Sequence, residues 1–443
     1  MSDGLRRVLD LAAPGVRAAL AAGELAPGAV TTPLAVAAQA LAADSTLVVT
    51  ATSNEAEALR DGVAALLGAN EEVALWPGWD THPLERVSPD AAVMAARALL
   101  RWRLESGDRP RVMVAAARAL SQVLAPDAPA EPLEVRVGAA IDRDEFVAAL
   151  ARRGFRREGL VEHRAEFAVR GGIVDVWSAH AESPVRLDLF GDDLERLSTF
   201  DIANQRSLVD LASTVIAPAR EWVPTRATRA RAGELADLAP WGRVAFDRLA
   251  EGQLFDGMEG WMSLFVERVA TVVDLVGDAS VLLVEPSRVR RRVEDLLAEE
   301  RELADTVAAT WRADQVVPLL HAPLDAVLAG RDVAVLEPGA GADRVHVAAP
   351  PVVQGDPARL AAPVRPWSPR RRGVVLTNSA AGVARVADQL RAEGLEVTTN
   401  PDALLDVRVS VLESTLPHGF SLDDPEVVVW SETDLTGRRA VHR

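Results

Sequence analysis

RAEFAVRGGIVDVWSAHAESPVRLDLFGDDLERLSTFD, residues 164–201, is the stretch that sets the architecture of this chain. It reads as short antiparallel strands broken at Gly171–Gly172, at Ala181–Pro184 and at Gly191–Asp193, where turn-forming residues cluster. Within PVRLDLF, Val185, Leu187 and Leu189 alternate with Arg186, Asp188 and Phe190. A strand sends successive side chains to opposite faces, so the aliphatic trio is expected in the core and the other three outside. On periodicity alone, two readings of that outer face stand. One is a solvated surface with a weak Arg186–Asp188 pair. The other is a protein interface, because an arginine beside an aromatic is the composition of a binding hot spot.

Around this stretch the chain is long, 443 residues, which sets a prior of about three domains. Hydrophobic residues make up 49% of it, enough for sizeable cores. No apolar run approaches the length of a membrane span and none follows a basic start, so a cytoplasmic protein is expected. There is no cysteine, which excludes disulfides, thiolate metal sites and cysteine nucleophiles. There is also no lysine: all 48 basic residues are arginine. That excludes Schiff-base chemistry and a normal P-loop, whose lysine reaches the β- and γ-phosphates. The net charge of −17 repels nucleic acid over the surface as a whole, so any such contact needs a local arginine patch.

In order along the chain, residues 1–45 are Ala-rich and helical and lead into the strand TLVVT at 46–50. A helix capped by Ser53 or Asn54 follows, then a strand ending at Leu75 and the loop PGWDTHPLERVSPD. A helix over 90–105 and the strand PRVMVAA at 110–116 complete a strand–helix alternation that predicts a parallel, doubly wound sheet over 1–130. Residues 131–218 read as a small α+β domain with a helix at 142–153 ahead of the antiparallel strands. Residues 219–350 return to α/β, with VAFDRL, SVLLVEP and DVAVLE as strands and a charged helix over 288–303. If both α/β parts share one sheet, the 131–218 unit is an insertion. The Pro- and Arg-rich segment 351–372 is expected to be an exposed linker, and 373–443 a small C-terminal α/β domain whose helix stops at Gly394.

Motifs for chemistry are sparse. No GxxxxGK[ST], GxSxG or HExxH occurs; GAG at 339–341 reads as a turn. His82, His163, His180, His321, His346, His418 and His442 are scattered and read as surface or loop histidines rather than ligands. Arg370, Arg371 and Arg372 carry enough charge to touch phosphate, although a solvated linker or an intramolecular contact with acidic domains is the favoured reading. No catalytic constellation emerges.

The stretch VRGGIVDVWSAHAESPVRLDLFGDDLERLSTFDIANQRS resembles the module shared by the excision-repair protein UvrB and the bacterial transcription-repair coupling factors. PGWDTHPLERVSPD, FDGMEGWMSLF (255–265) and HGFSLDDPEVVVWSETDLTGRR (418–439) resemble further segments of the coupling factors, in the same order. The resemblance implies a degenerate RecA-like parallel sheet domain without a nucleotide site, an inserted antiparallel domain that docks the repair protein UvrA, and the small α/β domain. It assigns docking to the positions of Arg170, Arg186 and Phe190, the arginines pairing with partner carboxylates and Phe190 supplying apolar contact. It places RNA polymerase binding, DNA binding and the ATP-driven motor beyond Arg443, so no cofactor, metal or enzymatic activity is expected here, in a truncated product or a stand-alone adaptor. Trp177–Ser178 replaces the family's Phe-Pro and Leu189 its first Phe. UvrB's aromatic-rich lesion-probing hairpin has no counterpart in this chain without tyrosine. The alternative is a UvrB-like ATP-dependent helicase subunit, which the missing GK[ST] disfavours.

Overall fold

The computed structural model describes residues 3–68, 72–82, 85–266, 268–311, 319–337, 347–351, 353, 355–404 and 406–436. Helices α1 (Asp3–Ala21) and α2 (Thr31–Ala40) precede strand β1 (Thr46–Thr50). Helix α3 (Ser53–Leu67), β2 (Val73–Trp76), α4 (Ala91–Glu105), β3 (Val112–Ala116) and α5 (Ala117–Ser121) follow. Every residue of β1 and β3 is buried. Their uninterrupted apolar runs are what parallel strands covered on both faces require. The cap of α3 is Thr52, not Ser53 or Asn54: its hydroxyl accepts from the Glu55 amide while Glu55 accepts from the Thr52 amide. Thr52 is the last extended residue, which puts Ser53 and Asn54 inside the first turn.

The central module comprises β4 (Leu133–Arg136), α6 (Arg143–Arg152), β5 (Arg156–Arg157), β6 (Glu166–Arg170) and β7 (Ile173–Val176). It continues with β8 (Val185–Phe190), β9 (Asp193–Phe200), β10 (Ser207–Asp210) and β11 (Ser213–Ile216). Six strands form one sheet in the order β10-β9-β8-β7-β6-β5, antiparallel except for β5 with β6, and β4 pairs with β11 separately. Phe146 and Leu150 of α6 bury against Phe167, Val174, Val185, Leu187 and Leu197 on the inner face. Two-residue turns at Gly171–Gly172 and Gly191–Asp192 close adjacent hairpins. Gly172 has to be glycine, since a Cβ there would sit 2.4 Å from the Leu189 carbonyl oxygen.

After the module come α7 (Arg226–Leu238), α8 (Arg243–Ala250), α9 (Val272–Leu275) and β12 (Ser280–Val284). Helices α10 (Pro286–Trp311) and α11 (Leu324–Val327) and strand β13 (Val333–Leu336) complete this part. β12 pairs in parallel with β1, and β13 with β12, giving one five-stranded parallel sheet in the order β13-β12-β1-β3-β2. Strands on either side of the module in sequence therefore share a sheet. VAFDRL, expected to be a strand, is helical. Ala245, Phe246 and Leu249 bury together at helical spacing, and a 3-10 turn at Pro240–Gly242 leads into α8.

The C-terminal unit holds β14 (Val347–Ala348), α12 (Ala361–Val364), β15 (Arg372–Thr377), α13 (Ala380–Ala392) and β16 (Val397–Thr398). β17 (Val409–Glu413), β18 (Phe420–Asp423), β19 (Glu426–Trp430) and α14 (Glu432–Thr436) finish it. Its sheet runs β14-β18-β19-β15-β17-β16. The segment 351–372 is not an exposed linker. Val353, Leu360, Ala361 and Val364 bury with Val375, Leu390 and Trp430, and Trp367 stacks on Trp430 at 5.7 Å. Aliphatic residues between the prolines make it part of this core, and β14 already pairs with β18 upstream of it. Leu5, Val8 and Leu9 of α1 share one apolar cluster with Val48 and Val114 of the parallel sheet and Leu376, Leu412 and Phe420 of the C-terminal sheet. No helix among the described residues is long and apolar enough to cross a membrane.

Candidate partner-binding site

The cross-strand register decides what the outer face of the six-stranded sheet offers. Arg186 on β8 lies opposite Asp175 on β7, and Arg170 on β6 lies opposite Ile173, two positions along the same face. Asp175 is 1% exposed and gathers both arginines. Its Oδ1 accepts from Arg186 Nε at 2.6 Å, and its Oδ2 from Arg186 Nη2 at 2.9 Å and Arg170 Nη2 at 2.6 Å. Arg186 also donates Nη1 to the Gln205 carbonyl at 2.9 Å and lies 4.7 Å above the Phe200 ring. The hydrogen bonds to Asp175 hold Arg186 firmly protonated against the cost of its burial. Its side chain is 11% exposed, so this guanidinium is largely committed within the sheet.

Arg170 differs. Its side chain is 41% exposed and reaches Asp175 through a single hydrogen bond from Nη2. Phe190 ends β8 beside the Gly191 turn and is 74% exposed. The close approach of Gly172 to Leu189 keeps the two hairpin tips adjacent, so Arg170 and Phe190 share one end of the sheet. At the other end Phe200, Ala168 and Val161 form a small second core with Trp177 against it.

The aliphatic alternation of β8 holds for Leu187, fully buried, and Val185, nearly so, whereas Leu189 is only partly buried where the pairing with β9 shifts register. The solvated-surface reading pairs Arg186 with Asp188 on its own strand, and the resemblance pairs it with carboxylates of a docking partner. The observed partner is Asp175 across the sheet, because directly opposite residues on adjacent strands approach more closely than i, i+2 residues along one strand. Asp175 was not singled out from the sequence. Its signal is a lone carboxylate inside the apolar strand IVDV.

The remaining motifs build scaffold. Glu259 of the 255–265 segment is fully buried, pairs with Arg220, and accepts from Ser88 of the 77–90 loop at 2.7 Å. Gly257 adopts φ 80°, and a Cβ there would lie 2.4 Å from the Glu85 carbonyl oxygen. Arg97 and Glu221 form a fully buried ion pair, with Arg97 4.4 Å over the Trp76 ring. In the third segment, Asp434 accepts from the amides of Gly419 and Ser431 at 2.7 and 2.8 Å.

Arg371 lies over Trp367 at 5.3 Å and reaches Ser421, and Arg372 donates to the Pro369 carbonyl at 2.6 Å, so both serve their own unit. His321 is not a surface histidine. It is buried, with Nδ1 2.6 Å from Oε1 of the buried Glu300. The GAG at 339–341, His346 and His442 lie outside the described residues. Among the described residues, no group of His, Asp and Glu is arranged to hold a metal ion.

Comparison with known proteins agrees with this geometry. Residues 133–222 match the family model of the UvrB interaction domain. The chain is 31% identical over 451 aligned positions to the transcription-repair-coupling factor of Mycobacterium tuberculosis, covering 89% of this chain and 35% of that protein. It is 30% identical to that of Myxococcus xanthus over 83% of this chain and 34% of the relative. The Bacillus subtilis coupling factor is 29% identical over 56% of this chain. Fold and site thus define a UvrB interaction domain set in an α/β scaffold. The chain is a homologue of the N-terminal region of the bacterial transcription-repair coupling factors, and spans about a third of the length of the Mycobacterium tuberculosis and Myxococcus xanthus relatives.

Proposed function

We propose that this chain docks the repair protein UvrA through the hairpin end of the outer sheet face. In that role it is the recruiting arm of a transcription-repair coupling factor, bringing UvrA to DNA where RNA polymerase has stalled at a lesion. One observation carries the reading. Two arginines converge on a single buried carboxylate in a sheet whose hairpin end carries an exposed phenylalanine, inside the segment that matches the UvrB interaction domain. Arg170 presents a guanidinium edge suited to bidentate capture of a partner carboxylate. Phe190 supplies an apolar anchor that loses water on docking. Arg186, tied to Asp175, contributes by fixing the position of the site.

Contacts to RNA polymerase and DNA, and the ATP-driven motor, belong in this proposal to regions of the relatives outside the matched span. UvrA docking in this proposal calls on no nucleotide, metal or catalytic group. The helicase alternative meets an obstacle at the start of α3, where a P-loop protein binds phosphate with the helix N-terminus. There the Glu55 carboxylate caps the backbone and pairs with Arg288 at 2.7 Å, so an anion already occupies that position. A pull-down with UvrA tests the proposal: Arg170→Ala and Arg186→Ala should each reduce recovery by roughly tenfold or more. Undiminished recovery of both variants would remove the site assignment.

A further inference from the structure

A second charged feature lies away from the UvrA face, in a cleft between the module and the parallel-sheet unit. The cavity measures about 890 Å³. Gly154, Phe155, Arg156, Arg164 and Ala165 form its module wall, and Arg86 to Met94 together with Arg220, Arg248 and Phe255 line the other side. Five arginines therefore face one cavity in a chain whose net charge is −17.

Two of the five are neutralised. Arg156 pairs with Glu158 at 3.0 Å and with Glu166 at 2.8 Å. Arg220 pairs with Glu259 and, at 3.7 Å, with Asp256, the one carboxylate lining the cavity among the described residues. The other three have no carboxylate partner among the described residues. Arg164 donates to the carbonyls of Ala179 and Ala181 and lies 5.3 Å over Trp177. Arg248 stacks on Phe255 at 4.1 Å, and Arg86 is exposed on the loop at the rim. These contacts orient the guanidiniums of Arg164 and Arg248 without discharging them.

We infer that the cleft binds a phosphate-bearing polyanion that bridges the module and the parallel-sheet unit. Three planar guanidiniums on three separate segments can each offer paired N–H donors, the geometry that phosphate oxygens accept. Phe155, Leu254 and Phe255 in the same wall give an apolar surface for a base or sugar next to the charge. The volume falls in the range of small-molecule sites. A bound anion would also relieve the repulsion among the three cations and hold the two units in one orientation. This inference does not depend on the UvrA reading.

The chemistry fits either a free polyphosphate or the phosphodiesters of a nucleic-acid strand, and calorimetric titration separates the two. Tripolyphosphate and a short single-stranded oligonucleotide are each titrated into the full chain, at matched ionic strength with sulfate as the control anion. Saturable binding of at least one, about tenfold weaker in Arg164→Ala and in Arg248→Ala but unchanged in Arg385→Ala on α13, is the expected result. The tighter of the two probes identifies the source of the phosphate. Arg86→Ala, at an exposed rim position, repeats the test if either variant melts early. Absence of saturable binding, or affinity equal in all variants and shared by sulfate, would overturn the inference.

Discussion

Arg186 and Arg170 meet the same carboxylate, yet their removal should have very different consequences for folding. Replacing Arg186 with alanine deletes two charge-assisted hydrogen bonds to Asp175, one bond to the Gln205 carbonyl and the contact with Phe200. Breaking a buried ion pair by removing one partner costs about 3–5 kcal/mol. Arg170 remains on Asp175 and offsets part of that, which brings the expected loss to about 2–4 kcal/mol. Arg170→Ala removes one bond from a side chain that is 41% exposed, where solvent screening holds the effect below about 1 kcal/mol. Hydrogen exchange followed by mass spectrometry reads this locally. Peptides covering β7 and β8 should exchange about 30- to 900-fold faster in Arg186→Ala and less than about fivefold faster in Arg170→Ala. Binding of UvrA should fall in both. Equal destabilisation by the two substitutions, or none by Arg186→Ala, would refute the assignment of Arg186 to positioning and Arg170 to contact.

Other consequences follow from particular contacts. Glu166 experiences burial, which alone would raise its pKa, but the Arg156 hydrogen bond and the amides of Glu162 and His163 outweigh it and hold the pKa below its ordinary 4.5. A carboxylate with a depressed pKa stabilises the fold above its unfolded pKa and loses that contribution as pH falls through the folded value. Stability of the module should therefore decline as pH drops below 4.5, and Glu166→Gln should flatten that slope in acid-titration melts. Glu221→Ala strands the buried Arg97 and should cost about 3–5 kcal/mol, seen as a lower denaturation midpoint. Gly257→Ala forces a Cβ against the Glu85 carbonyl at a left-handed backbone position, and should loosen the 85–90 loop as measured by limited proteolysis.

Much of the fold is legible in the sequence because its signals are local. The uninterrupted apolar runs TLVVT and VMVAA announce buried parallel strands, and the alternation in VRLDLF, with Ser183–Pro184 before it and Gly191 after it, announces the hairpins. The failures came where burial depends on partners far along the chain. VAFDRL has an apolar pattern short enough to fit either period, and only packing against Trp241 and Trp261 makes it helical. The 351–372 segment looks like a connector by composition, but its aliphatics have a core waiting in β15, α13 and β19. At the site, alternation correctly exposed Phe190 and put Arg186 on the outer face. It could not reveal Asp175 as the shared partner, because register between strands is a tertiary property.

The central claim is that the hairpin end of this sheet docks UvrA, and Phe190 tests it most directly because its side chain supports nothing else in the fold. Burying a phenylalanine that is 74% exposed in the free protein contributes about 1.5–3 kcal/mol to association, a factor of roughly 10 to 150 in affinity. In a calorimetric titration of UvrA with the full chain, Phe190→Ala should leave the melting profile unchanged and raise the dissociation constant by that factor. An unchanged dissociation constant in a folded Phe190→Ala variant would contradict the account.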